Sequence, residues 1–249
     1  MMDFYRKIVE ENKKELEKRI VKDVVVGIGY IGVLLDDGSL GLSYTLRDEL
    51  PPTCSVMDKA GKFSGLTAYD LAQLWFYPGV ISSSIGLATL NAIVNKDVKT
   101  EKMGDVTKWF DFKGKVVGMV GRFNPVIEVL KPVVKSLYVL EKRPLLNSYP
   151  DWAAREILPK CDIAIITATT LINKTFLDIV SWAHNAEKIL LGPSSNFSPM
   201  ILEKVDMISG IIPLNTSEII KIISQGGGTR QVMKYSKKVS IRNEKSKKK

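Results

Sequence analysis

From Val116 onward the chain alternates short β-branched apolar runs with amphipathic stretches, and this alternation leaves few folds open. Residues 116–120, 136–140, 163–167, 189–191 and 207–212 have the length and composition of buried strands. Residues 125–134, 151–158, 171–183, 198–204 and 217–225 between and after them carry helical spacing. A strand that is followed by a helix and then by another strand is most simply parallel to its predecessor, because a crossover needs that much chain. Five such repeats predict a doubly wound parallel sheet with helices on both faces.

The first hundred residues read differently. Residues 5–19 mix Lys and Glu with Ile8, Val9 and Leu16, as an exposed helix does. The β-rich run 21–35 is long for one strand, and its glycines predict a break into two. Asp36, Asp37, Gly38 and Ser39 then form a hairpin turn into 40–45. Residues 67–77 and 83–94 read as helices separated by Pro78 and Gly79. The expected organisation is a small α+β domain over 1–100, a doubly wound domain over 101–235 with a polar, Lys-rich linker at 96–114, and a tail over 236–249.

The net charge of +9 invites a nucleic-acid reading, but seven Lys or Arg against one Glu in 236–249 supply +6 of it. The tail is expected to be disordered and removable, and no zinc finger, RNP-type motif or basic aromatic helix accompanies it. Cys54 and Cys161 have no paired spacing, and His184 is the single histidine, so neither a zinc site nor a disulfide framework is supported. His184 reads as a structural residue on a helix. No apolar run approaches the roughly 18 residues of a spanning helix, and residues 1–20 lack a signal-peptide core, so the chain is expected to be cytoplasmic, with no membrane partner.

Chemistry concentrates where strands are expected to end. Thr167, Thr169, Thr170 and Thr175 place four hydroxyls, with the amide of Asn173, at a strand-to-helix junction. In open parallel sheets ligands sit beyond the carboxyl ends of the strands. One hydroxyl suffices for a helix cap, so a cluster reads as a ligand site beside that simpler role. Gly121 follows the first strand and would let a ligand approach backbone, although the full dinucleotide fingerprint is absent. Glu141 ends the second strand 20 residues later, where a carboxylate accepts from two vicinal hydroxyls or else pairs with Lys142 or Arg143. Gly192, Pro193 and Ser194 turn the chain after the fourth strand, on the same sheet edge as the threonines. Asn91, inside a helix of small residues, has poor helical propensity and calls for a polar partner, with the cleft between domains as a candidate.

On these residues the chain resembles the uncharacterised heavy-metal chelation family, in which an enolase N-terminal-like domain precedes a Rossmann-like domain partly similar to methyltransferases. The matching segments are 86–92, Val120 and Gly121 with Phe123, Leu140 and Glu141, 169–173 with Thr175, and 192–194 with Ser198 and Pro199. The resemblance implies an interdomain site for a small molecule related to flavins, pterins or siderophore-like metal chelators, with no established reaction. Ala168 and Lys174 stand where the family usually has glycine, and Asn196 replaces a usual proline, so the ligand of this chain is left open.

The expected function is therefore that of a small-molecule enzyme or binding protein in metabolism of a metal chelator. Its partner is a small molecule, a metal chelate among the candidates, with no specific nucleic acid; a homo-oligomer is compatible with the sequence. Asn91, Gly121, Glu141, Thr167, Thr169, Thr170, Asn173, Thr175, Gly192, Pro193 and Ser194 are the candidate ligand-binding residues. No nucleophile–base pair is visible and no cofactor is assigned. Two alternatives remain open: an S-adenosylmethionine-dependent methyltransferase, which would use Glu141, and a non-catalytic module that sequesters metal directly.

Overall fold

The structure, a computed structural model, describes residues 2–53, 56–98, 106–143 and 147–244. Helices α1 (Met2–Glu11) and α2 (Lys13–Glu17) precede an antiparallel meander of β1 (Val21–Val26), β2 (Tyr30–Leu35) and β3 (Leu40–Tyr44). The long apolar run does split at its glycines into two strands. Next come α3 (Ala68–Ala72), whose N–H of Asp70 is capped by Thr67, and α4 (Val80–Val94).

Helix α4 is the centre of the molecule. All but three of its fifteen residues are buried, and it buries every face rather than one stripe, with Ser83, Ser84, Thr89 and Asn91 among the buried residues, as a helix between two layers must. It meets β3 backbone to backbone: a Cβ on Gly41 would lie 1.8 Å from the Ala88 carbonyl oxygen. On another side, a Cβ on Gly86 would lie 2.0 Å from the Trp75 nitrogen. Neither position has room for any other residue.

The second sheet is built from β4 (Val116–Val120), β5 (Ser136–Glu141), β6 (Tyr149–Pro150), β7 (Ile163–Thr167), β8 (Glu187–Leu191), β9 (Met207–Pro213) and β10 (Ser236–Arg242). Helices α5 (Asn124–Leu130), α6 (Ala154–Ile157), α7 (Phe176–Trp182), α8 (Pro199–Leu202), α9 (Thr216–Ser224) and α10 (Thr229–Val232) intervene. The strand order is β10-β9-β8-β7-β4-β5-β6, parallel except for β10. Counting from β4, this is the 3-2-1-4-5-6 order of doubly wound nucleotide-binding sheets, and the order reverses between β4 and β7. The fold is thus mixed α/β, a mostly parallel sheet with a small antiparallel sheet, the class the sequence predicts; the large sheet has seven strands, β6 and β10 beyond the five expected.

One buried cluster runs from Tyr5 and Trp75 through α4 to Ile166, Leu171 and Phe176, so both sheets share a core. A second cluster, with Tyr30, Leu42, Ile219, Ile223 and Val232, packs α9 and α10 onto the outer face of the small sheet.

Two expectations are corrected. The supposed linker is not all solvated: Val106, Phe110 and Phe112 are buried against the far face of the large sheet with Val117 and Met119. The supposed disordered tail begins with a strand, β10, in full antiparallel register with β9 from Ser236↔Pro213 to Arg242↔Met207. Val239 is fully buried, and the Ser240 hydroxyl donates to Ser209 Oγ at 3.0 Å. Its charge hid this, because Lys237 and Lys238 suit an edge strand, where they discourage pairing with another chain. Deleting 236–249 should therefore lower the thermal midpoint by more than about 5 °C, since it strips the edge from β9. A midpoint unchanged by the deletion would show that β10 adds nothing to stability.

Candidate functional site

At the point where the strand order reverses, β4 and β7 end side by side and their following loops part. Gly121, at φ +85°, turns away from β4, and a Cβ there would come within 2.8 Å of the Thr167 Cβ. Only glycine combines that backbone angle with that contact. Beyond these ends lies a cavity of about 730 Å³. Gly121, Glu141, Thr167, Thr169, Thr170, Asn173, Thr175, Gly192, Pro193 and Ser194 all line it. Its opposite wall comes from the small sheet, through Tyr44 and 46–49, together with Thr229 of α10.

Glu141 is half-buried, and that burial raises its carboxyl above the ordinary range, while the Arg122 backbone N–H and guanidinium pull it back down. It does not pair with its neighbours in sequence. Lys142 reaches Glu49 at 2.7 Å, and Arg143 bonds the Asp48 carboxylate at 3.4 Å and its carbonyl at 2.8 Å. Two ion pairs thus tie the rim of the small sheet to the end of β5, and Glu141 is left to the cleft.

The threonine cluster divides its hydroxyls between the chain and the cavity. Thr167 caps a short 3₁₀ turn by accepting from the Thr169 N–H, and its hydroxyl shares a 3.0 Å bond with that of Thr169. Thr170 donates to the Thr167 carbonyl at 2.7 Å. The Asn173 carbonyl oxygen accepts from the Thr175 N–H and hydroxyl, and the residue lines the cavity. Capping and cleft lining are therefore carried by the same few residues. Gly192, at φ +134°, brings Ser194 under β3, where its hydroxyl accepts from the Tyr44 N–H at 2.8 Å.

Asn91 is a correction: it is buried outside the cavity lining. Its amide donates to the Leu42 carbonyl at 2.9 Å and accepts from Asn196 at 2.9 Å, so its polar capacity joins α4 to β3 and to the loop after β8. Lys174 neither faces the cleft nor points to solvent. It stands at φ 67°, and its ammonium donates to Ser83 Oγ at 2.7 Å, to the Ile172 carbonyl at 2.9 Å and to the Leu171 carbonyl at 3.1 Å. The Tyr5 and Trp75 rings lie 5.3 and 5.2 Å from it.

Sequence reasoning missed much of the wall: Arg47, Asp48, Glu49, Arg122, Asp151, Trp152, Asp178, Trp182 and Thr229. Arg122 carried a readable signal, since it lies two residues beyond the end of β4, whereas Trp152 lies two residues beyond β6, a strand too short to read in the sequence. The segment 46–49 carried none. Among the described residues, no three His, Cys, Asp or Glu gather as a metal site. Burial, then the nearby Asp162, pushes the Cys161 thiol up to about 11, which makes it an inert core group; Cys54 lies outside the described residues. Among the described residues no helix is long and apolar enough to cross a membrane.

Residues 108–242 match the DUF364 family and residues 9–94 the DUF4213 family, both described as "Putative heavy-metal chelation". The chain belongs to the DUF364 family. A DUF364 protein of unknown function from Desulfitobacterium hafniense has a crystal structure that superposes with a TM-score of 0.84 at 24% identity, over 97% of each chain. Another, from Pyrococcus horikoshii, gives 0.85 at 21% identity over 96% of this chain and 100% of its own. At that identity they show the fold. An uncharacterized protein of Methanocaldococcus jannaschii is 29% identical over 153 residues, and the match spans only 57% of either chain.

Burial pushes the Lys174 ammonium of this DUF364 protein down to about 7 from its ordinary 10.5. The unfolded chain then holds that proton more tightly, so the cost is full below about pH 7 and is relieved as pH rises toward about 10.5. Stability should climb by up to about 1.4 kcal/mol per pH unit between about pH 7 and 9 from this group. Lys174→Met should flatten the climb in denaturant titrations at several pH values. Parallel slopes for variant and parent would assign the proton elsewhere.

Proposed function

We propose that the cleft between the two sheets binds a small organic molecule, and that this protein is an enzyme or binding protein in metabolism of a metal chelator or a flavin-, pterin- or siderophore-like compound. The observation that supports this reading best is convergence. Glu141, Asn173, Thr169 and the Gly192–Ser194 turn come from three separate β-α units and meet at the reversal of strand order, beyond the carboxyl ends of the strands. The family description adds the heavy-metal context. Since one His and two distant Cys offer few soft ligands, metal would enter as part of an organic chelate rather than on protein side chains. That argument also weighs against direct sequestration of metal.

In this reading the Glu141 carboxylate accepts from hydroxyls or ring N–H groups of the ligand. The Asn173 NH₂ and Thr169 hydroxyl hold its oxygens, and Gly121 forms part of the lining beside them. A second reading, an S-adenosylmethionine-dependent methyltransferase, is favoured by Glu141 at the end of the second strand of such a sheet; calorimetric titration with that cofactor separates the two.

Mass spectrometry of whatever molecule copurifies should identify a ligand for the cleft. Glu141→Gln and Asn173→Ala should then each weaken that ligand by about ten- to a hundredfold, the effect of losing a hydrogen bond involving a charged or buried group. Thermal midpoints should stay near the parent's. If both variants bind the copurified molecule as the parent does, the shared site is refuted.

A further inference from the structure

The wall of the cleft made by β4, β5 and β6 has a chemistry of its own. Glu141 closes β5 and stands in register with Pro150 of β6, so Asp151 and Trp152 leave the sheet directly beside it and line the same cavity. Trp152 is 71% exposed, more than any other large hydrophobic side chain among the described residues. An indole held in water at the edge of a cavity offers a flat apolar face to a planar ring. The Glu141 carboxylate beside it accepts from two vicinal hydroxyls at once. Asp151 supplies a second acceptor next to the indole, suited to an exocyclic amino group. Gly121 turns the chain at the end of β4 into the lining of the same cavity.

The same wall is poorly built for pyrophosphate. That group is normally cradled by a glycine-rich loop and the free N–H groups of a helix N-terminus. Here α5 follows a single glycine, and Pro125 in its first turn has no N–H to give.

We propose that Gly121, Glu141, Asp151 and Trp152 form a subsite for an adenosine moiety held without pyrophosphate. The ribose diol sits on Glu141, the adenine amino group on Asp151 and the ring face on Trp152. The inference rests on the reading of the cleft as a small-molecule site, and it leaves the Thr169 and Asn173 side for the remainder of the ligand or for a second reactant.

Adenosine, S-adenosylhomocysteine, AMP and NAD titrated into the full chain by calorimetry, with tryptophan emission followed in parallel, test it. Adenosine should bind saturably and quench emission, whereas 2′-deoxyadenosine and inosine should each bind at least about tenfold more weakly, the cost of one lost polar contact. Trp152→Ala and Glu141→Gln should lose about as much, and Leu214→Ala, on the surface outside the cleft, should keep the parent's affinity for adenosine. Tighter binding of S-adenosylhomocysteine than of adenosine would support the subsite and assign the moiety to a sulfonium-type cofactor; tighter binding of AMP would support it and assign a nucleotide. NAD binding more tightly than all of them would overturn the exclusion of pyrophosphate. Absence of adenosine binding, or a Trp152→Ala variant that binds like the parent, overturns the subsite. If Glu141→Gln and Asn173→Ala still weaken the copurified molecule in that event, the small-molecule cleft stands without it.

Discussion

The structure depends on the polar side chains of one buried helix. Ser83 of α4 donates to the Ile172 carbonyl at 2.6 Å, and Ser84 donates to the Tyr44 carbonyl at 3.1 Å. Asn91 holds Leu42 and Asn196, while Asn95, which caps the helix's C-terminal end, donates to the Ser195 carbonyl at 2.8 Å and accepts from the Phe197 N–H at 3.1 Å. These bonds fasten the loops after β7 and β8, which are the two loops that shape the deep end of the cleft. A satisfied buried hydrogen bond adds only about 1 kcal/mol net, but an orphaned partner costs about 1 to 3 kcal/mol. The network therefore selects one placement of the loops more than it stabilises the fold.

That deep rigidity contrasts with the rim. The pairs Lys142–Glu49 and Arg143–Asp48 are solvent-exposed, and exposed ion pairs contribute about 0 to 1 kcal/mol each. The small sheet is thus anchored to the cleft floor through α4 and held only weakly across its mouth.

Lys174 shows how local and tertiary demands meet. A left-handed φ of 67° usually favours glycine, and a lysine there accepts some strain. Its side chain runs into the shared core, where three oxygens and two aromatic rings surround the ammonium. Lys174 therefore sits behind the cleft floor and not in the cleft lining.

The parallel sheet was legible because a strand period and a helix period alternate in ways that only crossover connections satisfy. The meander was legible from its turn chemistry, and the cleft floor from polar residues at strand ends. Three things were not. β10 is a strand because β9 offers it an unpaired edge, which the composition of 236–242 cannot announce. Asn91 could have served a ligand or the fold, and the choice was made by Leu42 and Asn196, 49 and 105 residues away in the chain. Residues 46–49 became a wall of the cleft only because α4 seats the small sheet against the large one. Periodicity and turn propensity act within a few residues, so the sequence by itself determined most of the elements, β6 and β10 excepted, and the parallel polarity of the sheet's interior. Which polar groups face the cleft and which face each other was decided by long-range packing, because a hydrogen bond depends on where its partner lies and not on residue type alone.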